Sequence, residues 1–221
     1  MRLRQIHALP TMWMAWVAAI LYSSWPFAYI LNPIAEHHDL ASILESPHQP
    51  YGWFFISMDI LAGAVMVYIG YLQFKRPNVS KLVRLSVGCY IAFGLMVVVS
   101  ALLPINCDPS IQSCGPLVND PVLIVHGLLS ILSVVFLFMS ILLTTITIIG
   151  YKLPNIFRWA AYSIIISWVV FGMGSAVAFV IRAKGNFLQY YFITICSISF
   201  LLLVGFIEYF YLLHEAGELD S

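Results

Sequence analysis

Six long, continuously apolar stretches leave this chain few ways to fold. Their approximate limits are 11–31, 52–74, 85–104, 122–150, 159–180 and 187–213. A helix needs about 20 mostly apolar residues to cross a hydrocarbon core about 30 Å thick. The stretches do not alternate every second residue, which argues against a β-barrel. They use most of the 221 residues. The expectation is therefore one all-α domain over 1–221, a polytopic bundle of six transmembrane helices. Charged residues make up only 9% of the chain, against about 25% in an average soluble domain. Ten scattered Lys and Arg cannot build the basic face that nucleic acid demands. Membrane lipids are the expected surroundings, nucleic acid is not an expected partner, and a protein partner stays open.

The first stretch has no Lys, Arg, Asp or Glu over 5–35. That is far longer than a signal-peptide core of roughly 7–15 residues, so it reads as a retained helix. Basic residues set the orientation. With six spans, Arg2, Arg4, Lys75, Arg76, Lys81, Arg84, Lys152 and Arg158 fall on one side, and only Arg182 and Lys184 on the other. The bias predicts cytoplasmic termini. Tyr51, Trp53, Tyr190 and Tyr191 would then mark the outer boundary, and Tyr71, Tyr151, Trp159, Tyr209 and Tyr211 the inner one. Three helices per half would give the second half inverted topology, as in many transporters. No matching pair of broken helices is visible in the sequence.

The predicted outer loops carry the unusual residues. In the first, Pro33 ends helix 1 near Leu31. Asp39, or the Ser42 and Glu45 pair at capping-box spacing, would start a short interfacial helix that Pro47 ends. Glu36, His37, His38, Asp39, Glu45 and His48 offer imidazole and carboxylate groups suited to a divalent metal. Their spacing matches no zinc motif, and a solvated polar loop is the favoured reading. His37 and His38 are carried as candidate ligand-binding residues. The second loop holds Cys107 and Cys114 around Asp108-Pro109 and Gly115-Pro116. On an oxidising side this pair predicts a local disulfide. Cys89 and Cys196 lie within helices and read as packing residues.

Ionisable groups within hydrocarbon are costly and are candidates for function by default. Asp59 sits in helix 2, roughly 10 Å below its outer end. His126 lies near the outer end of helix 4, so both belong to one leaflet. Asp59 and His126 are the candidate catalytic residues. Asp108 and Ser130 join His37 and His38 as candidate ligand-binding residues, and Asp120 flanks the same entrance. Glu208 should reach the inner headgroups. His126, Ser130, Ser133, Ser140, Thr144 and Thr147 recur along one face of helix 4. This stripe should face the bundle, either to line a polar path or to pack closely. Helix 5 has a stripe of its own in Ser163, Ser167, Gly174 and Ala178, and the two are expected to pack together.

One well-embedded histidine cannot supply the paired axial ligands of a membrane haem. No H-E-x-x-H, Walker or dinucleotide fingerprint occurs. No haem or nucleotide cofactor is expected, while a divalent metal remains open. An enzyme built on these residues would be a membrane-embedded hydrolase. His126 would act as general base or metal ligand, Asp59 would orient it or bind metal, and spacing alone does not support Ser57 or Ser130 as the nucleophile.

Several short motifs then come together. They are the Asn32-Pro33 exit from helix 1, Asp59 with Gly63, and Leu103-Pro104-x-x-Cys107-Asp108-Pro109 followed by His126-Gly127. In these the chain resembles, over nearly its whole length, the six-helix membrane proteins catalogued as domain of unknown function nine hundred and ninety-eight. The resemblance implies a multi-pass protein of a prokaryotic plasma membrane and draws attention to the outer-leaflet residues. It assigns no reaction. The leading expectation is an outer-leaflet polar site for a lipid-like or small amphipathic ligand. The alternatives are a non-catalytic structural, accessory or sensor subunit, and a small transporter.

Overall fold

Proline sets the first departure from six unbroken spans. In a computed structural model, which describes residues 5–32, 44–77, 80–105, 121–151, 154–180 and 187–215, α1 (Gln5–Tyr22) stops short. A single 3-10 turn, Trp25–Phe27, carries Pro26 and leads into the short α2 (Ala28–Leu31). The two parts of this span meet at 43°. Pro26 has no N–H to offer the Tyr22 carbonyl, and its ring would clash there. α1 accordingly ends at Tyr22. The sequence predicts one straight helix over 11–31, and this proline corrects it.

The other long helices are α3 (Gly52–Phe74), α4 (Lys81–Ala101), α5 (Pro121–Gly150), α6 (Asn155–Val180) and α7 (Phe187–Glu215). Every described element is helical. Among the described residues five helices are long and apolar enough to cross a membrane, and there are six such spans if the bent first pair counts as one. Two starts lie earlier than the apolar pattern suggests. α4 begins at Lys81 because Ser80 caps it, its hydroxyl accepting from the Val83 N–H at 3.3 Å. α6 begins at Asn155, where Arg158 donates back to the Asn155 side chain. Charged first turns look like loop in a hydropathy reading, yet at headgroup depth they are ordinary helix.

Successive spans pack side by side from α3 to α7, and α1 closes the ring by touching both α3 and α7. A close backbone approach joins α3 and α4. A Cβ on Gly63 would lie 2.6 Å from the Gly94 carbonyl oxygen, and one on Gly94 would lie 2.9 Å from that of Gly63. Small residues at such crossings let backbones meet where lipid offers no hydrophobic drive. Met66, Ile69, Tyr90, Phe93, Leu137 and Phe200 fill the centre. Tyr22 meets Phe93, and Tyr90 meets Phe200, edge to face. Trp13, Ile30, Ile156 and Ile166 are largely exposed on the outside, as side chains that touch lipid tails would be.

The α5 stripe finds a different partner from the one expected. Ser140 and Thr144 bond to Ser86 of α4, with hydroxyl distances of 2.8 Å each. Ser140 also donates to the Ser86 carbonyl. On α6, Ser163 is exposed. The stripe therefore faces α4, where Ser86 receives it.

Candidate functional site

Where the first span breaks, the bundle holds a cavity of about 130 Å³. It lies toward the end that carries the connection between α2 and α3. Tyr22, Ser24 and Trp25 line it from the break, Ser100 from α4, and Cys196 from α7. Side-chain bonds hold its wall in place. Ser23 meets Ser197 at 2.7 Å, and the Trp25 indole donates to Thr194 at 3.1 Å. Trp25 also packs on Tyr190, with ring centroids 5.1 Å apart.

Asp59 of α3 is half-buried and lines this cavity. Its partner is Glu45, carboxyl to carboxyl. Such a bond needs a proton between the two groups, since two carboxylates repel. Glu45 is brought there by its neighbours. Leu44 is buried against Ala28, Phe55 and Tyr190. Asn32 and Gln49, both buried, join at 2.6 Å across the same connection. Tyr51 takes a left-handed backbone, φ 59°, and the Gly52 N–H bonds back to the Gln49 carbonyl. The turn so folded lays Glu45 over the first turns of α3. Burial pushes the Glu45 carboxyl up to about 7, against the lowering effect of its bond to Asp59. The sequence placed Glu45 among loop residues and did not pair it with Asp59.

His126 of α5 is 4% exposed and lines the same cavity. Its Nδ1 faces the Leu103 carbonyl at 2.9 Å, the Ser100 carbonyl at 3.2 Å and the Ser100 hydroxyl at 3.3 Å. A ring nitrogen facing two carbonyls carries the proton, so the lone pair of the neutral ring sits on Nε2. Every hydrogen bond the ring makes among the described residues runs through Nδ1. Ser130 also lines the cavity, but its hydroxyl donates to the His126 carbonyl at 3.0 Å. Ser57 likewise donates to Trp53 of its own helix. Neither candidate nucleophile is joined to Nε2.

The structure thus brings Asp59, His126 and Ser130 onto one cavity and adds Glu45, Ser100 and Tyr22. His37, His38, Asp108 and the Cys107 and Cys114 pair lie outside the described residues. Among the described residues, no three His, Cys, Asp or Glu side chains are placed to hold a metal ion. Described Cys89 and Cys196 are free thiols.

A second polar group lies toward the other end. Glu208 is 3% exposed. Arg76 pairs with it at 2.7 Å, and the Gln73 amide donates to it at 2.8 Å. Tyr90 donates to the Gln73 side chain, and Tyr211 to the Gln73 carbonyl at 2.7 Å. The Arg76 guanidinium also lies over the Tyr211 ring, 4.5 Å from its centroid. Each member has partners, so this group reads as a clamp between α3, α4 and α7.

No curated protein matches the chain. No solved structure matches it either. The model of one protein family, described as "Protein of unknown function (DUF998)", matches residues 13–207. That match runs from within α1 to within α7 and takes in Glu45, Asp59 and His126, and the chain belongs to this family.

Proposed function

We propose that this multi-pass membrane protein binds the headgroup of a small amphipathic molecule in the cavity between α1, α3, α4, α5 and α7. The observation that carries the reading is convergence. Glu45, Asp59 and His126 come from three separate segments and line one cavity. Placing ionisable groups at membrane depth costs several kcal/mol, of the order of 3 kcal/mol each near the centre. A polar pair that only fastened helices would need no cavity beside it. The Gln73, Arg76 and Glu208 clamp is an example of such fastening.

Size supports a headgroup rather than a whole lipid. An apolar cavity of about 150 Å³ holds one benzene, so about 130 Å³ suits a group of roughly six heavy atoms. Trp25, Phe55 and Phe192 line the cavity beside the polar groups and suit an apolar stem. The excess of Lys and Arg on the side of the termini favours cytoplasmic termini. The cavity would then open to the outer leaflet of a prokaryotic plasma membrane.

The break in the first span favours a second reading, transport of the same ligand. Discontinuous helices beside a binding site are a recurring device of transporters. Native mass spectrometry in mild detergent tests the primary reading. A small molecule or lipid bound to the wild type and lost in His126→Ala would support it. Absence of any bound species in both would count against it. Uptake of that molecule into proteoliposomes would separate transport from binding.

A further inference from the structure

Among the described residues, the charged side chains that line the cavity are the acids Glu45 and Asp59, and no Lys or Arg lines it. Glu45 and Asp59 both line it and lie within side-chain hydrogen-bond reach of each other, a contact that two bare carboxylates would oppose. Among the described residues, the titratable groups facing the pair are Tyr22 on α1, His126 on α5 and Cys196 on α7. His126, itself 4% exposed, lines the cavity, and with Nδ1 facing carbonyls its Nε2 makes no hydrogen bond among the described residues. In the tautomer that those carbonyls hold, Nε2 accepts a hydrogen bond. Tyr22, Trp25, Phe55 and Phe192 add aromatic surface, which attracts cations through the ring quadrupole.

We infer that the Glu45–Asp59 pair recognises the ammonium group of a small organic cation, which enters in exchange for the proton the two carboxyls share. The inference rests on the cavity being a ligand site and names the chemical class of that ligand. The exchange balances. The pair goes from one negative charge to two, the arriving ammonium supplies one positive charge, and the displaced proton leaves to water. Nε2 of His126 and the cavity hydroxyls can accept the remaining N–H bonds, while the apolar stem lies against the aromatic wall. A neutral molecule of the same shape gains nothing from the second carboxylate, and an anion is repelled by the first. Burial of Glu45, which raises its carboxyl to about 7, keeps the proton available for exchange near neutral pH.

Calorimetric titration of the full chain in lipid nanodiscs tests this, using benzylammonium and its neutral isostere benzyl alcohol. Running each titration in two buffers of different ionisation enthalpy counts the protons released. At about pH 6 benzylammonium should bind with release of close to one proton. Benzyl alcohol should bind about tenfold more weakly, with none released. Raising the pH should tighten benzylammonium binding and reduce the proton count. In Glu45→Gln, which keeps the hydrogen bond to Asp59 without a shared proton, release should fall close to zero. Equal affinity for the two probes, or ammonium binding without proton release in the wild type, overturns the inference. Failure of both probes also overturns it. If native mass spectrometry still finds a species that His126→Ala loses, the cavity remains a ligand site of another chemistry. If it finds none, both readings fall together.

Discussion

Glu45 and Asp59 are joined carboxyl to carboxyl, although one lies on the turn before α3 and the other well inside that helix. The proton that makes this bond possible is a property of the fold, since an unfolded chain would leave both groups ionised at neutral pH. Stability should therefore depend on pH. Glu45 has a folded-state value of about 7, above the unfolded value near 4.5. The folded state binds more protons between those limits, so stability is full below the unfolded value and is lost as pH rises through the folded one. Thermal unfolding in detergent should occur at lower temperature at pH 8 than at pH 5, and the difference should shrink in Glu45→Gln. A flat profile in the wild type would show that Glu45 carries no such shift.

Asp59→Asn and Asp59→Leu should separate binding from folding. The Asn amide can donate to an ionised Glu45, so stability should change by no more than about 1 kcal/mol. The bound species should nonetheless be lost. Leu leaves Glu45 facing an apolar side chain and should cost about 1–3 kcal/mol. Chemical denaturation in mixed micelles, paired with native mass spectrometry, reads both quantities.

The α3–α4 crossing gives an internal control. A methyl at Gly63 collides with the Gly94 carbonyl, whereas a methyl at Gly88 meets nothing within 4 Å. Gly63→Ala should destabilise by about 1–3 kcal/mol through overpacking. Gly88→Ala should be neutral or stabilising, by up to about 1 kcal/mol of helix propensity. Comparable losses in both would remove the crossing as the cause.

Removing Arg76 should do more harm than removing its partner's charge. Arg76→Ala leaves the buried Glu208 carboxylate without its cation and should cost about 3–5 kcal/mol. Glu208→Gln keeps a side-chain partner for Gln73 and relieves the buried charge. The double variant Arg76→Ala with Glu208→Gln should therefore recover part of the loss. An additive result in the double-variant cycle would mean that the pair contributes nothing as a pair.

Asp59 and His126 were legible in the sequence because an ionisable group stands out in an apolar run. The faces of α5 were legible because a helix repeats every 3.6 residues. Partners were not. Periodicity says that Ser140 and Thr144 share a face but not that Ser86 of α4 receives them. Glu45 was hidden for the same reason, since its pairing comes from the fold-back that buries Leu44 and joins Asn32 to Gln49. Gln73 and Glu208 also find each other only across the assembled bundle. Pro26 did carry a usable signal. A proline that deep in a span clashes with the carbonyl four residues earlier, and α1 ends there.

The bend at Pro26 divides the molecule mechanically. Below it, α1 is wedged between α3 and α7 and cannot shift without disturbing the centre. Above it, the wall of the cavity is pinned to α7 through Ser23 with Ser197 and Trp25 with Thr194. Two such bonds are worth only about 1 kcal/mol each, and the leg beyond them is held further by Trp25 on Tyr190, by Ala28 against Leu44, and by Asn32 bonded to Gln49. The short leg of the first helix and the turn that carries Glu45 are thereby fastened to one another, so a shift of α2 would carry the carboxyl at the cavity with it.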